Sequence, residues 1–255
     1  MQQTNRKAQI HKLLKHGIED GDESAIEVIS PDKYIQHNPQ TEVERSGLAQ
    51  LFKRLSETGP RVNIVRTFAD GDYVFAHTEY DFSQRNIGFE IFRFDGEHAV
   101  EHWDNIQPRM GPNLSGRSMV DGSAAITDYH LTDHNRALVE RYVDEVLIAR
   151  KHASLGTFVA PQLIEHNPAR RDGVESLENA LAEMHESYPA KQYRRRHRVL
   201  SEGNFVLSVS EGDLAGVHSS FYDLFRVEQN LIVEHWDTVE AIPAKHLWKN
   251  DNGKF

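Results

Sequence analysis

The feature that most constrains the fold of this chain is a pentapeptide that occurs twice. The sequence V-E-H-W-D spans residues 100–104 and again residues 233–237. Other landmarks recur in the same order and at nearly the same separation: H-N-P at 37–39 and 166–168, a glycine turn with an apolar run at 71–75 and 203–207, and an apolar-Phe-Arg tripeptide at 91–93 and 224–226. Solenoid repeats are only ~20–50 residues long, so a repeat of this length indicates a duplicated domain.

The composition is typical of a globular protein with an acidic surface. Of 255 residues, 38% are hydrophobic, and a half of about 125 residues is close to the usual domain size. The formal net charge of -10 is opposite in sign to the basic surface that nucleic-acid-binding proteins present. A basic run at 194–198 either forms a solvated or salt-bridged face of a strand or binds an anion.

Cysteine content and hydropathy give further expectations. The chain has no cysteine, which excludes disulfides and thiol catalysis. The first residues lack the apolar run of a signal peptide, and no window reaches the length of a membrane span. We therefore expect a cytoplasmic protein without a membrane or nucleic-acid partner.

The duplication predicts two domains joined by a linker. We assign residues 1–110 to the first domain, residues 111–127, which are rich in Gly, Ser and Pro, to the linker, and residues 128–255 to the second domain. Each half opens with apolar residues at helical spacing. These are Ile10, Leu13, Leu14 and Ile18 in the first half and Leu138, Tyr142, Val146 and Ala149 in the second. Shorter helices are predicted over 24–29, 47–55 and 176–184.

Four strands are predicted to follow the helices in each half. In the first half they cover residues 62–68, 73–82, 87–94 and 98–107, with turn signals between them. Helices first and an antiparallel meander afterwards indicate an α+β fold, with helices on one face of a curved sheet.

The polar residues of the two motifs are the candidate site. Alternation in the last strand places His102 and Asp104 on one face and Glu101 and Trp103 on the other. Imidazole titrates near neutrality, and a carboxylate beside it can tune or orient it, so the pair could act as acid and base. The same two side chains could instead lock a neighbouring loop, or make a pocket polar without catalysis.

The H-N-P loop has two interpretations as well. Asn38 is either a turn former, because its side chain can mimic the backbone, with His37 as its partner, or both residues lie at a pocket rim opposite Asp104. His77 has no counterpart in the second half, where Val209 stands, so it would line a pocket only in the first.

Three stretches of the first half resemble the SnoaL-like polyketide-cyclase family of the nuclear-transport-factor-2-like superfamily. They are Y-I-Q-H-N-P at 34–39, A-D-G-D-Y-V-F-A-H at 69–77 and F-R-F-D-G-E-H-A-V-E-H-W-D at 92–104. In the second half the resemblance covers about residues 132–239 with weaker landmarks. It implies two tandem cone-like α+β barrel domains, each with three helices packed in a curved antiparallel sheet and a pocket at the open end.

The resemblance also implies a cofactor-independent acid/base enzyme, an aldol-type cyclase, isomerase or lyase, acting on a small hydrophobic carbonyl compound. The Asp of V-E-H-W-D would remove a proton next to the carbonyl, because desolvation raises the pKa of a buried carboxylate towards working pH. The candidate catalytic residues are Asp104, His102, His37, Asp237, His235 and His166, and the candidate ligand contacts are Asn38, Asn167 and His77. The alternative is a non-catalytic small-molecule-binding or scaffold protein, since this fold supports both.

We expect neither a metal nor a cofactor. The motif H-E-x-x-H does not occur, and an H-x-D pair alone is a weak metal signature. The chain also lacks a dinucleotide or phosphate loop and the G-x-S-x-G of a serine nucleophile.

The outer face of each predicted sheet carries large apolar residues. Trp103 and Ile91 lie there in the first half, and Trp236 and Leu224 in the second. The resemblance implies that single cones pair through these faces. We therefore predict an internal pseudo-dimer, sheet against sheet, that the linker holds at high effective concentration, with further homo-oligomerisation left open.

Overall fold

The computed structural model describes residues 2–186 and 191–255, and this part of the chain forms two compact units. The first unit consists of the residues up to Pro108 together with Ile242–Phe255, and the second consists of Arg109–Ala241. Each unit combines helices with one five-stranded sheet, which confirms the α+β fold class.

Two segments belong to a different unit from the one that the sequence predicts. Residues 111–127, the predicted linker, pack within the second unit, and residues 242–255, assigned to the second domain, pack within the first. We call residues 109–127 the central strap and residues 242–255 the C-terminal strap. Hydrogen bonds explain the difference. Asn113 Nδ2 donates to the Glu165 carbonyl at 2.6 Å, and Asn250 Nδ2 donates to the Asn38 carbonyl at 2.8 Å.

In the first unit the helices precede most of the sheet. Helix α1 (Gln2–His11) continues into a π-helical segment (Lys12–Asp20), and a 3₁₀ helix (Glu23–Val28) follows. Helix α2 (Arg45–Ser56) is the predicted third helix. The strands are β1 (Ile35–Gln36), β2 (Arg61–Asp70), β3 (Tyr73–Asp81), β4 (Arg85–Asp95) and β5 (His98–Pro108).

The second unit repeats this order with additional short helices. A 3₁₀ turn (Tyr129–Leu131) leads into α3 (Thr132–Tyr142), a π-helical segment (Val143–Ile148), a second 3₁₀ turn (His152–Ser154), α4 (Leu155–Phe158) and, after β6, α5 (Val174–Glu186). Its strands are β6 (Val159–Glu165), β7 (Lys191–Glu202), β8 (Phe205–Leu214), β9 (Val217–Glu228) and β10 (Leu231–Ala241). Among the described residues, no helix has the length and apolar character needed to cross a membrane.

Both sheets contain one strand that the sequence does not predict. The orders are β1-β5-β4-β3-β2 and β6-β10-β9-β8-β7, so the predicted antiparallel meander gains a fifth strand at its β5 or β10 edge. This strand runs parallel to its neighbour, which makes each sheet mixed. β1 was missed because it is only two residues long. β6 has seven residues, but its buried and exposed positions do not alternate.

The predicted helical stripes form the inner cores, with one exception. Ile10, Leu13, Leu14 and Ile18 are buried in one cluster with the first sheet. Leu138, Tyr142 and Val146 are likewise buried in the second, but Ala149 is exposed. The π-helical turns between them change the angular spacing of side chains, and Leu147 takes the buried position instead.

The basic run at 194–198 is salt-bridged. Arg196 contacts Asp144 at 2.8 Å and Glu140 at 3.3 Å, and Arg194 pairs with Asp213. These pairs support the salt-bridged alternative for this run.

The outer sheet faces are buried as well as the inner ones. Trp103 and Trp236 are 2% and 1% exposed, and Ile91 and Leu224 are fully buried. The predicted packing of the two sheets against each other remains a prediction.

We expect Trp103→Ala and Trp236→Ala each to lower the free energy of unfolding by ~3–5 kcal/mol, because each removes a large, fully packed side chain. Tyr129→Ala is the control, since Tyr129 is 61% exposed and should cost less than ~0.5 kcal/mol. Urea denaturation of the three variants checks this. Tryptophan variants as stable as the tyrosine control would contradict it.

The repeated glycine turn provides a second test. Gly71 and Gly203 both have a left-handed backbone, with φ of 57° and 59°. A Cβ on Gly71 would meet nothing within 4 Å, whereas one on Gly203 would lie 2.1 Å from the Thr127 carbonyl oxygen. We expect Gly71→Ala to cost only the backbone strain of roughly 1–2 kcal/mol and Gly203→Ala to cost clearly more. Equal losses in urea denaturation would show that the central strap does not restrict this position.

Candidate functional site

The inner face of the first sheet carries a polar cluster at the bottom of a cavity. The cavity has a volume of about 110 Å³ and is lined mainly by apolar side chains of α2, its neighbouring π-helical segment and the sheet. Tyr80 on β3, Glu90 on β4, and His102 and Asp104 on β5 reach it from three adjacent strands. Strand pairing places Glu90 directly opposite Asp104.

His102 is held between two oxygen acceptors. Its Nε2 lies 2.7 Å from Glu90 Oε2, and its Nδ1 lies 3.1 Å from Gln36 Oε1. The same Gln36 oxygen accepts the backbone N–H of Asn38 at 2.9 Å, which fixes it as an acceptor. The Nδ1 atom of His102 therefore carries a proton. Tyr80 donates its hydroxyl to the other Glu90 oxygen at 2.7 Å, so the four side chains form one chain of hydrogen bonds.

Asp104 is an ionised carboxylate with a donor on each oxygen. Asn38 Nδ2 donates to Oδ2 at 2.7 Å, and Lys254 Nζ lies 3.3 Å from Oδ1. Burial by itself would raise the pKa of Asp104, but the charges of Lys254 and His102 and the Asn38 hydrogen bond lower that pKa below its usual value. The expected upward shift, which would have made Asp104 a strong base, is therefore wrong, because desolvation is outweighed by two nearby cations.

His37 lies on the opposite face of the first sheet from this cavity, and His166 lies on the corresponding outer face of the second sheet. His37 stacks on Trp103 at 4.6 Å, its Nε2 lies 2.9 Å from Glu101, and its Nδ1 donates to the Gly253 carbonyl at 2.9 Å. His166 stacks on Trp236 at 4.7 Å and bonds Glu234 and the Ser118 carbonyl, each at 2.8 Å. The predicted rim position of these histidines is wrong, because residues alternate across β1 and β6, and the one before each histidine already faces inwards.

His77 also lies outside the cavity. It stacks on Phe89 at 4.5 Å, and its Nδ1 lies 2.7 Å from Arg66. Both contacts are on the outer face, so His77 is not the ligand contact that the sequence suggested. Of the predicted first-half residues, the structure brings together His102, Asp104 and Asn38.

The second unit repeats the inner cluster with a different charge. His235 Nδ1 lies 2.8 Å from Glu165 Oε1, where the first unit has Gln36, and its Nε2 lies 3.2 Å from Asp223 Oδ1. Asn167 donates to both oxygens of Asp237, at 2.8 and 2.9 Å. Burial by itself would lower the pKa of His235, but the charge of Glu165 and the hydrogen bonds to Asp223 and Glu165 raise that pKa to about 9.

Two cationic side chains contact the carboxylates of the second cluster. Arg170 Nη1 lies 3.2 Å from Glu165, and Lys191 Nζ lies 3.0 Å from Asp237. The cavity that the described residues leave here has a volume of only about 10 Å³. Burial by itself would raise the pKa of Asp237, but the charges of Lys191 and His235 keep that pKa well below its usual range.

Sequence reasoning missed several residues of these clusters. Glu90, Tyr80 and Gln36 lie on other strands of the sheet, and only the fold brings them to the same cluster as His102, so spacing along the chain gave no signal. The two straps do carry a signal in the sequence. The pattern N-x-x-G occurs at 113–116 and again at 250–253, and each copy ends in a glycine with positive φ. Recognising it as a further part of the repeat would have tied both straps to the H-N-P loops.

Each inner cluster could hold a metal ion by distance alone. Glu90, His102 and Asp104 offer ligand atoms within 4.8 Å of one another, as do Asp223, His235 and Asp237. A lysine ammonium already neutralises an aspartate of each cluster, at Asp104 and Asp237. Because an ammonium competes with a cation for the same carboxylate, we assign no metal ligand to either cluster.

No protein-family model matches the chain, and no curated protein matches it either. Similar solved structures include a SnoaL-like polyketide cyclase from Agrobacterium tumefaciens (15% identity, 42% of this chain and 91% of that chain, TM-score 0.36) and an LEH-like epoxide hydrolase from M. tuberculosis (16%, 43% and 84%, TM-score 0.35). An NTF2-like protein of unknown function from Mesorhizobium loti is similar at 16% identity, over 42% of this chain and 94% of that chain, with a TM-score of 0.37. At such identities, an activity has to be argued from the residues of this chain.

The raised pKa of His235 predicts how stability depends on pH. A folded-state pKa of about 9, above the ordinary 6.5, stabilises the fold fully below pH 6.5, and this contribution is lost as the pH rises towards about 9. We expect Glu165→Gln, which gives the second cluster the amide of the first, to lower the pKa of His235 and weaken this dependence. Urea denaturation across this range, with NMR titration of the His235 ring, measures both. An unchanged His235 titration in the variant would contradict the assigned cause.

Proposed function

We propose that the first unit binds a small, mostly apolar molecule with a carbonyl oxygen and transfers a proton on it, while the second unit has lost this capacity. One observation carries the proposal. Equivalent polar clusters border a cavity of about 110 Å³ in the first unit and one of only about 10 Å³ among the described residues of the second. A ligand site needs both space and polar groups, and within the described part of the chain the first cluster is the one of the two that offers both.

The cavity limits the size and polarity of the ligand. An apolar cavity of about 150 Å³ is known to accept benzene, so the space here suits one small ring or a short branched chain. Leu14, Leu48 and Phe52 supply apolar wall, and the polar groups lie on the sheet side. A compound with a single polar end directed at Tyr80 and His102 fits this distribution.

The chemistry follows from the hydrogen-bond chain. The Tyr80 hydroxyl would turn from Glu90 to the carbonyl oxygen, which frees the Glu90 Oε1 atom. This oxygen would accept a proton from the carbon next to the carbonyl, and the C–H electron pair would move to form an enolate. His102, protonated and held by Gln36, would stabilise the negative charge. Return of the proton from Glu90 to another carbon gives an isomerisation. Attack of the enolate carbon on a second carbonyl moves that carbonyl's π electrons to its oxygen, and return of the proton from Glu90 to this oxygen completes an aldol-type closure.

Asp104 has a supporting role in this scheme. Its lowered pKa makes it a poor proton acceptor, and its fixed negative charge lies beside the polar cluster that would face the ligand. The proton acceptor that we propose is therefore Glu90 rather than Asp104.

One observation favours non-catalytic binding as a second candidate function. Both nitrogens of His102 and all four carboxylate oxygens of Glu90 and Asp104 already have partners within the protein. A ligand would then occupy the apolar part of the cavity without breaking these bonds.

Solvent deuterium exchange into cyclopentanone and cyclohexanone distinguishes the two candidates. We expect the protein to accelerate exchange next to the carbonyl, and Glu90→Gln to reduce the rate by ~10²–10⁴-fold, the usual range for one general base. Asp223→Asn, the equivalent change in the second unit, is the matched control and should leave the rate unchanged. NMR follows exchange, and line broadening of the ketone follows binding.

The outcomes are separable. Binding without exchange would support the non-catalytic candidate. Equal effects of the two substitutions, or ketone binding that survives filling the cavity with Leu48→Trp, would contradict a site in the first unit.

A further inference from the structure

The C-terminal strap is fixed to the H-N-P loop of the first unit by specific hydrogen bonds. Asn250 Nδ2 donates to the carbonyls of Asn38 and Thr41, at 2.8 and 2.9 Å, and Asn252 Nδ2 donates to that of Gln36 at 3.1 Å. The backbone N–H of Lys249 donates to the Pro39 carbonyl at 2.7 Å. These bonds engage the segment that holds Gln36 and Asn38, two polar residues of the cavity wall.

The strap ends by directing a lysine towards the polar cluster. Gly253 has φ of 83°, a conformation that turns the chain and that side chains disfavour. The side chain of the next residue, Lys254, is only 2% exposed, and its ammonium group lies 3.3 Å from Asp104 Oδ1. Asp104 is one of the residues that line the cavity, and Lys254 is not.

In the second unit a lysine from a different element contacts the equivalent aspartate, Asp237. Lys191 lies two residues before Tyr193 at the start of β7 and contacts Asp237. Val62 of the first unit is equivalent to Tyr193 of the second. Val62 pairs with Tyr80 and Tyr193 pairs with Gly212, and these two partners lie at the same distance along the chain from Gly71 and Gly203, the glycines of the repeated turn. The residue two before Val62 is Pro60, which carries no charge. The first unit therefore obtains the cation for its aspartate from the strap.

We propose that Lys254 is a positioning residue of the first unit's site, and that docking of the C-terminal strap completes that site by pairing this lysine with Asp104. The proposal rests on the proposed function only in that Asp104 borders the ligand cavity. Lys254 would hold the Asp104 carboxylate ionised and in place, with Asn38 on its second oxygen. The other titratable groups facing Asp104 are His102 on the same strand, Glu90 on β4, Tyr80 on β3, and Tyr34 just before β1.

Charge removal at Lys254 tests the proposal. Lys254→Met keeps the length of the side chain but removes its charge, so the pKa of Asp104 should rise. Lys254→Arg restores a cation and should keep that pKa near the wild-type value. Carboxyl ¹³C NMR over an acid titration, with the Asp104 signal identified by its loss in Asp104→Asn, measures this directly. Lys191→Met is the matched control and should shift the Asp237 signal instead.

A second readout links the contact to the site. If ketone exchange occurs, the acid limb of its pH profile should move upwards in Lys254→Met and not in Lys254→Arg or Lys191→Met. The carboxyl titration requires no ligand and no turnover, so it decides on Lys254 even if exchange is never seen. Thermal unfolding and the Asn250 amide signal show whether each variant is folded with its strap docked. An Asp104 titration that is unchanged in folded Lys254→Met would overturn the proposal.

Discussion

The parallel pairing of the last strand with the strand before H-N-P determines the arrangement of both units. In the first unit it aligns Ile35 with Glu101 and Gln36 with His102. Because neighbours on a strand face opposite sides, Gln36 then meets His102 on the inside, and His37 meets Glu101 and Trp103 on the outside. The next residue, Asn38, returns to the inside and binds Asp104. A slip of one residue in this pairing would exchange the two faces and separate every one of these contacts.

This pairing gives the residues of the two repeated motifs two different roles, one on the outer face of the sheet and one on the inner face. Glu101, Trp103 and His37 form an outer lock, and their counterparts Glu234, Trp236 and His166 form the same lock with nearly identical geometry. The inner residues have diverged in their surroundings. Where the first unit has the amide of Gln36, the second has the carboxylate of Glu165 with Arg170 as its counterion, and both residues line the small cavity there. Preserved motifs therefore do not imply two active sites, since much of what they preserve is structural.

Much of the fold and a part of the site were predictable from the sequence. The duplication, the helices and the four meander strands follow from repeats and periodicity, which act locally. That His102 and Asp104 share one face of the sheet followed from alternation alone. His37 and His77 were misplaced because the sequence does not state which side of a sheet a loop or a neighbouring strand presents to a cavity. Glu90 and Lys254 could not be found at all by spacing, since one depends on strand register and the other on a contact that spans most of the chain.

The division of the chain also sets an order of assembly during translation. The second unit is continuous in sequence and has all its residues once Ala241 has been synthesised. The first unit lacks its strap until residues 242–255 follow, although its sheet is made long before. The usual rule that the N-terminal domain is finished first is therefore reversed here. A ribosome that stalls between residues 242 and 253 would leave a second unit with its full set of contacts and a first unit whose buried Asp104 lacks Lys254.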